Sequence, residues 1–188
     1  MHSFRRGAPL DLAQYTAPAI EDRTGPPLSQ GFLFTMIATV ASEHCSPEIL
    51  DALSRVDPDA WYHGQLLESI LTHFEEKDPA LVPHIGRNIY FFMRTQLLAQ
   101  GITSPRAVLE GIPAIWHQVT RGDGGEWTAI VGPRRARLEA CQPYNCHFEE
   151  GTVRGLVEAL EARNVRIDHG PCMRDGAPGC VFEVRWEE

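Results

Sequence analysis

The sequence predicts an α+β protein in which an N-terminal layer of helices packs on a four-stranded, mostly antiparallel sheet with one inserted helix. Three observations lead to this prediction. Apolar residues recur at helical spacing from Ser29 to about Val119. After the turn GDGGE at residues 122–126 they alternate with polar residues, as in strands. With 188 residues, 43% of them hydrophobic, the chain is long enough for one domain with one substantial core.

The chain divides at its change of pattern. Residues 1–28 lack periodicity and contain turn-forming stretches, so they are predicted to form an extended N-terminal arm. Residues 29–188 form the predicted single domain, with a helical part at about 29–120 and a sheet part at about 126–188. Pro113 is expected to break or kink the last helix of the helical part.

Serine and proline residues mark the predicted helix boundaries. Ser46 and Ser104 each precede a proline, which places a capping side chain directly before the first helical position. Pro79 and Pro83 are predicted to separate one helix from a later helix over about 85–98.

The sheet part begins with a hairpin that turns at Gly132. A helix is predicted over about 148–163, where Gly151 and Gly155 lie one turn apart and would let the helix approach a sheet closely. The predicted strands are residues 127–131, 135–140, 164–168 and 180–186.

Composition argues against several classes of partner. The chain has 17 basic and 25 acidic residues, a net charge of -8, so we expect no nucleic-acid partner. The most apolar stretch, residues 31–41, is about half the ~20 residues that a membrane span needs. The N-terminus lacks the layout of a signal peptide, and five cysteines are an odd number for a disulfide framework. We therefore expect a cytoplasmic protein with free thiols and no membrane span.

Three cysteines and a histidine are spaced as metal ligands around the predicted inserted helix. Cys146 precedes the helix, Cys172 follows 26 residues later, and Cys180 follows after a further eight. His169 forms a close pair with Cys172, as tetrahedral zinc sites usually require. A helix of ~15 residues is about 22 Å long, and the strand after it returns nearly that distance, so the two ends can meet.

The cysteines also fit a purely structural interpretation, because free cysteine behaves as a small buried hydrophobe. Cys45 and Cys141 are interpreted in this way, since they lie at the ends of predicted elements. Cys141 is also an alternative to His169 as the fourth metal ligand. Spacing alone leaves these interpretations open.

Residues 146–186 resemble the C-terminal half of 4-vinyl reductase domains. The shared pattern is a cysteine before a helix with two glycines one turn apart, a strand, an acidic residue, a cysteine, a glycine turn and a cysteine before the last strand. More loosely, the preceding helices and hairpin resemble the rest of that fold, which is shared with haem-NO-binding and TRAPP-type trafficking proteins. The resemblance implies a zinc held by Cys146, Cys172 and Cys180, with His169 in the place of the family's glutamate.

The resemblance implies a sensor or adaptor rather than a catalyst. Such a domain would hold a structural Zn²⁺ and bind a small hydrophobic ligand, and the chain has no GxSxG, HExxH, P-loop or dinucleotide fingerprint. A homodimer is also expected, from the resemblance and from an apolar run that exceeds what one sheet face can cover. That run contains Phe32, Phe34, Ile37 and Val40.

Two alternative functions stay open. Members of the family also occur in tetrapyrrole metabolism, which implies an accessory or carrier protein, and trafficking subunits of the wider fold imply a structural protein-interaction module. Haem is a lesser alternative to zinc. It depends on His84, which precedes the aromatic run at residues 89–92, and a lone histidine is weak evidence for an iron ligand.

Overall fold

The computed structural model describes residues 10–188 and confirms the predicted α+β fold. Within these residues there are seven α-helices and seven strands. The helices are α1 (Gly31–Ala41), α2 (Pro47–Ser54), α3 (Gly64–Lys77), α4 (Leu81–Phe91), α5 (Arg94–Ala99), α6 (Pro105–Val119) and α7 (Cys146–Ala159). The strands are β1 (Leu28–Gln30), β2 (Trp61–His63), β3 (Thr120–Arg121), β4 (Glu126–Val131), β5 (Arg135–Cys141), β6 (Arg163–His169) and β7 (Cys180–Glu187).

The main sheet has the order β4-β5-β7-β6, and each neighbouring pair is antiparallel. The predicted hairpin turns at Gly132, whose N–H donates to the Arg135 carbonyl at 2.8 Å. Leu138 and Phe182 face each other across β5 and β7, and both are fully buried. The sequence prediction of four antiparallel strands with one inserted helix, α7, is therefore confirmed.

A second, three-stranded sheet with the order β2-β1-β3 was not predicted. Its strands have only two or three residues, too few for alternation to be recognised. Gln14 forms an isolated bridge with Tyr62 of β2, so the described part of the predicted arm runs against this sheet. The rest of that arm, residues 1–9, lies outside the described residues.

The predicted helix caps are confirmed. The Ser46 hydroxyl accepts a hydrogen bond from the Ile49 N–H at 3.3 Å, and the Ser104 hydroxyl accepts one from the Ala107 N–H at 3.1 Å. Each serine thus satisfies an N–H group that has no partner within its own helix.

The structure differs from the expectations about proline at Pro83, and α6 has no break at Pro113. Pro83 does not precede a helix but lies in the first turn of α4, where its missing N–H removes no hydrogen bond. Pro113 lies inside α6, which continues to Val119 without a break. The single helix predicted over 85–98 is two helices, because the chain turns at Phe92 and Met93.

Helix α7 approaches another helix, α4, rather than the sheet through its glycines. A Cβ atom added at Gly151 or Gly155 would overlap the carbonyl oxygen of Pro83 or Arg87, respectively. Gly86 meets α7 in the same way from α4, since its added Cβ would overlap the Phe148 carbonyl oxygen. These glycines bring the two backbones into contact and fix where the first turn of α7 lies.

The helices and the sheet enclose one apolar core. Trp127 of β4 stacks on Phe182 of β7, with ring centroids 5.7 Å apart. In the apolar run of α1, Phe34 and Ile37 are fully buried in this core, whereas Phe32 and Val40 are partly buried. Among residues 10–188 no helix is both long and apolar enough to cross a membrane.

Candidate metal centre and internal cavities

Three buried cysteines reach one point from separate elements. Cys146 is the first residue of α7, whose N-terminus is capped by the Asn145 side chain, which accepts a hydrogen bond from the His147 N–H at 3.0 Å. Cys172 directly precedes a short 3-10 helix after β6, and Cys180 is the first residue of β7. The helix and the returning strand thus bring these positions together at one end of the sheet.

The three sulfur atoms are closer together than unrelated buried thiols need to be. Cys146 Sγ lies 3.0 Å from Cys172 Sγ, and Cys180 Sγ lies 3.7 Å from Cys172 Sγ. All three are free thiols. Zn–S bonds of about 2.3 Å in a tetrahedron place sulfur atoms about 3.8 Å apart. Together with His169, the four ligand atoms all lie within 4.8 Å of one another, so the structure brings together every residue of the predicted site.

His169 has the surroundings of a metal-binding histidine. Its Nδ1 lies 3.5 Å from a carboxylate oxygen of Glu150, whereas its Nε2 is buried and has no hydrogen-bond partner among residues 10–188. A carboxylate beside the other ring nitrogen is the usual second partner of a histidine ligand, because it orients the ring. The donor set therefore fits a zinc ion, with Nε2 as the nitrogen left for the metal.

Without metal the ligands differ in protonation, since sulfur neighbours and burial raise the pKa of Cys146, and burial and sulfur neighbours raise the pKa of Cys172. The pKa of Cys180 is lowered to about 4, chiefly by a hydrogen bond from Cys146 and further by His169 and the Met173 N–H. Its sulfur in turn raises the pKa of His169 to about 10, with Glu150 adding to that effect. Without metal, a thiolate thus faces an imidazolium, and a metal ion must displace protons to bind.

The turn between Cys172 and Cys180 is held in place from both sides. Gly176 adopts a left-handed φ of 88°, which a residue with a side chain would adopt only under strain. Arg174 forms a two-point ion pair with Glu75 of α3, at 2.5 and 2.8 Å. The helical layer therefore positions the turn that carries two of the thiols.

The remaining cysteines lie elsewhere. Cys141, the alternative fourth ligand, is exposed at the end of β5 and is not part of the four-residue group. Cys45 is partly buried and its thiol donates to the Ala41 carbonyl at 3.4 Å. The position of Cys45 agrees with its structural interpretation, whereas the exposed Cys141 is not a buried hydrophobe.

Two small cavities lie between the helical layer and the sheet. They share the lining residues Tyr90, Trp116, Val119 and Glu149. The inner cavity, about 20 Å³, extends from these residues towards β1 and α1. The sheet-side cavity, about 30 Å³, extends towards Trp127 of β4. Each volume is enough for about one or two water molecules.

Glu149 is the charged residue that both cavities share. Glu149 is only 4% exposed to solvent. Its carboxylate forms no hydrogen bond with any residue in the described range. Burial, and then the negative charge of Glu68, raise the pKa of Glu149 to about 8. Sequence analysis missed this residue, although a signal was present: Glu149 lies on the apolar stripe of α7 with Val153 and Leu156.

Neither cavity is lined by a histidine that could bind a haem iron, as far as the chain is described. His84, on which the haem alternative depends, is exposed on α4 with its Nε2 2.8 Å from the Asn88 side-chain nitrogen. The cavities as they stand therefore do not fit a histidine-ligated haem.

The arrangement of helices and sheet is that of H-NOX proteins. An H-NOX protein from S. oneidensis, solved in the Fe(II)NO ligation state, superposes with a TM-score of 0.68 at 15% identity, over 85% of this chain and 99% of that chain. An Fe(II) unliganded H-NOX protein from K. algicida gives 0.64 at 11% identity, over 85% and 97%. A single-residue variant of Tt H-NOX gives 0.61 at 12% identity, over 84% and 93%.

These likenesses define the class of fold. The chain has the H-NOX fold, which is the wider haem-NO-binding fold that the sequence resemblance named. No family model matches the sequence, and no curated protein matches it either. At 11–15% identity the likeness concerns the fold alone.

Proposed function

We propose that this chain is a ligand-binding sensor or adaptor of the 4-vinyl reductase type, with a structural zinc site and an internal pocket for a small, largely apolar molecule. The observation that carries the zinc proposal is the convergence of Cys146, His169, Cys172 and Cys180 to within 4.8 Å. The observation that supports a ligand is the pair of cavities between the helices and the sheet, where such pockets commonly form.

The proposed zinc is structural because the protein supplies four ligands. A catalytic zinc keeps one coordination position for water or substrate, and three cysteines with one histidine leave none. The ion would tie the start of α7 to the start of β7 and to the turn after β6. It would thereby hold the first turn of α7, which carries Glu149, against the cavities.

The cavities must widen before they accept an organic molecule. Trp116 and Tyr90 lie between them, and both belong to helices of the layer rather than to the sheet. Ligand binding would therefore displace part of the helical layer. That displacement is a physical means by which occupancy could reach a partner protein.

A homodimer and a cytoplasmic location complete the proposal. Phe91, Phe92 and Leu98 are exposed large apolar residues at the junction of α4 and α5, and a second copy could cover them. Five free thiols suit a reducing compartment. Light scattering that gives the 21.0 kDa mass of one chain at micromolar concentration would exclude the dimer.

Elemental analysis and native mass spectrometry of the purified chain test the proposal. One zinc per chain together with a small organic mass is the expected result. A tetrapyrrole mass would favour the carrier alternative, and zinc without any organic mass would favour the interaction module. A metal-free protein of unchanged stability would contradict the zinc site.

A further inference from the structure

Glu149 lies at a buried position where an ionised carboxylate lowers the free energy of unfolding unless a ligand binds it. A buried carboxylate without a hydrogen-bond partner loses its hydration and regains nothing from the protein. Glu149 occupies a helix face that is otherwise apolar, with Val153 one turn later, and its backbone is held by the contact of α7 with α4. An apolar residue there would fill the core, so the carboxylate points to a partner that is not part of the chain.

Two further polar groups in the sheet-side cavity lack partners. Trp127 Nε1 and Thr152 Oγ1 are both buried and form no hydrogen bond with residues 10–188. In the inner cavity, by contrast, the Ser29 hydroxyl donates to the Tyr144 hydroxyl at 3.0 Å. Trp127 Nε1 and Thr152 Oγ1 thus share the sheet-side cavity with Glu149.

The cavities are aromatic, and they carry a negative charge once Glu149 is ionised. Their described lining contains no lysine, arginine or histidine, and Glu149 is its one charged residue. Glu68 of α3 is also buried and acts on Glu149 as a second negative charge. The nearest guanidinium on the inner side, that of Arg23, is bound to the Thr120 and Gly125 carbonyl oxygens instead.

Aromatic rings surround this carboxylate. Tyr90 and Trp116 line both cavities, Trp127 lines the sheet-side cavity, and Phe32 and Phe148 line the inner cavity. Ring faces attract organic cations, and a desolvated carboxylate is their natural counter-ion. The ionised Glu149 carboxylate would repel an anionic ligand, whereas the unpaired Trp127 N–H would donate to an acceptor on the ligand body.

We infer that the cavity takes a small organic ammonium ion with an aromatic or compact apolar body, and that Glu149 is the residue that binds its ammonium group. The inference rests on the proposed ligand-binding function and narrows its ligand class. The apolar body would lie among Tyr90, Trp116 and Trp127, and the N–H groups would donate to the Glu149 carboxylate. Because each cavity now has room for only about one or two water molecules, the helical layer must move even for a body of one ring.

Calorimetric titration of the zinc-loaded full chain with three probes of one shape tests this. The probes are benzylamine, benzyl alcohol and benzoate, which are cationic, neutral and anionic. We expect benzylamine to bind at least about tenfold more tightly than benzyl alcohol, because a charged hydrogen bond replaces a neutral one. Benzoate should not bind detectably.

Two variants test whether Glu149 causes the preference for benzylamine over benzyl alcohol. Glu149→Gln keeps the size of the side chain and removes the charge, so its affinities for benzylamine and benzyl alcohol should become equal. Glu158→Gln removes a charge from the same helix, where Glu158 pairs with Arg87 away from the cavities, and should leave the preference unchanged. Circular dichroism and zinc content confirm that each variant is folded and loaded.

The outcomes separate the inference from the proposed function. Equal binding of amine and alcohol by the wild type overturns the ammonium inference and leaves the apolar ligand pocket standing. A preference that survives Glu149→Gln overturns the role of Glu149. If no probe binds, the inference is wrong, whereas the proposed function is then judged by the small molecule and zinc found in native mass spectrometry.

Discussion

The first turn of α7 carries two buried polar groups, three residues apart, in opposite surroundings. At Cys146, two other thiols and an imidazole converge to within 4.8 Å, so the protein itself supplies every partner. At Glu149, the carboxylate faces a cavity and has no hydrogen-bond partner in residues 10–188. Ligand atoms that converge on one point indicate a metal ion enclosed by the chain. A carboxylate that faces a cavity indicates instead a molecule that enters from outside.

The two regions should therefore contribute to stability with opposite signs. Binding of a metal by the thiol group is coupled to folding and adds to the free energy of unfolding. The carboxylate lowers that free energy while the cavity is empty, which is the usual trade between stability and function at a binding site. Each of the following substitutions tests one side of this comparison.

Cys172→Ser should have the largest effect. Cys172 Sγ lies within 3.7 Å of both other sulfur atoms, so its removal should abolish zinc binding and lower the free energy of unfolding by more than about 3 kcal/mol. Metal analysis and thermal unfolding measure both losses together. Cys141→Ser removes an exposed thiol outside the group and should change neither quantity. Loss of stability in both variants would contradict the special role of the thiol group.

Gly151→Ala tests the helix contact that positions both regions. The added Cβ would overlap the Pro83 carbonyl oxygen, so α4 and α7 must separate, at a cost of about 3 kcal/mol. Gly111→Ala on α6 is the matched control. Its Cβ would meet only the Ile115 Cδ1 at 3.7 Å, and alanine favours a helix by up to about 1 kcal/mol. Equal denaturation midpoints for the two variants would show that the close approach is unimportant.

Glu149→Gln should stabilise the empty protein at high pH. Because the folded pKa of about 8 exceeds the ordinary value of 4.5, the free energy of unfolding of the wild type falls as pH rises between these values and then levels off. In Glu149→Gln the free energy of unfolding should not fall in this pH range, because the amide does not ionise. We expect it to be more stable by on the order of 2 kcal/mol at pH 9, since its own buried amide offsets part of the gain.

Urea unfolding of Glu149→Gln and the wild type at pH 5 and pH 9 measures the difference. Near pH 5 the wild-type carboxyl is protonated in the folded state, so the two curves should nearly coincide. A difference that is the same at both pH values would mean that ionisation of Glu149 is not its cause.

His169→Cys should have the smallest effect. Thiolate and imidazole are both good zinc ligands, so the variant should keep one zinc and lie within about 1 kcal/mol of the wild type. His169→Ala removes the fourth ligand and should weaken zinc binding by at least about tenfold. Competition with a coloured chelator measures both affinities. If His169→Ala keeps the wild-type affinity, another residue completes the site.

Local sequence patterns predicted much of the fold and the members of the thiol group. The hairpin at Gly132 and the caps at Ser46 and Ser104 depend on neighbours within a few residues, and the structure has them as predicted. Cys146, Cys172 and Cys180 could be grouped because one helix and one strand connect them, and the lengths of both follow from residue count. The zinc itself stays a prediction.

Contacts between distant segments were not predictable in this way. The sheet β2-β1-β3 joins residues from three places in the chain through strands too short to show alternation. The partner of Gly151 and Gly155 is α4 and not the sheet, since a glycine in a sequence indicates close approach without saying to what. Pro83 was misjudged because the position of a proline within its helix decides its effect.

The sequence by itself thus determined the fold class and the order of most elements, because these depend on short-range patterns, and its resemblance to a known family singled out the four residues that meet at the thiol group. Only the tertiary structure decided the role of Glu149. Along the chain it is one acidic residue near the start of a helix, and most such residues face solvent. Its burial results from the packing of α4 and α6 against α7, and the apolar stripe of α7 indicates that burial without indicating which helices cause it.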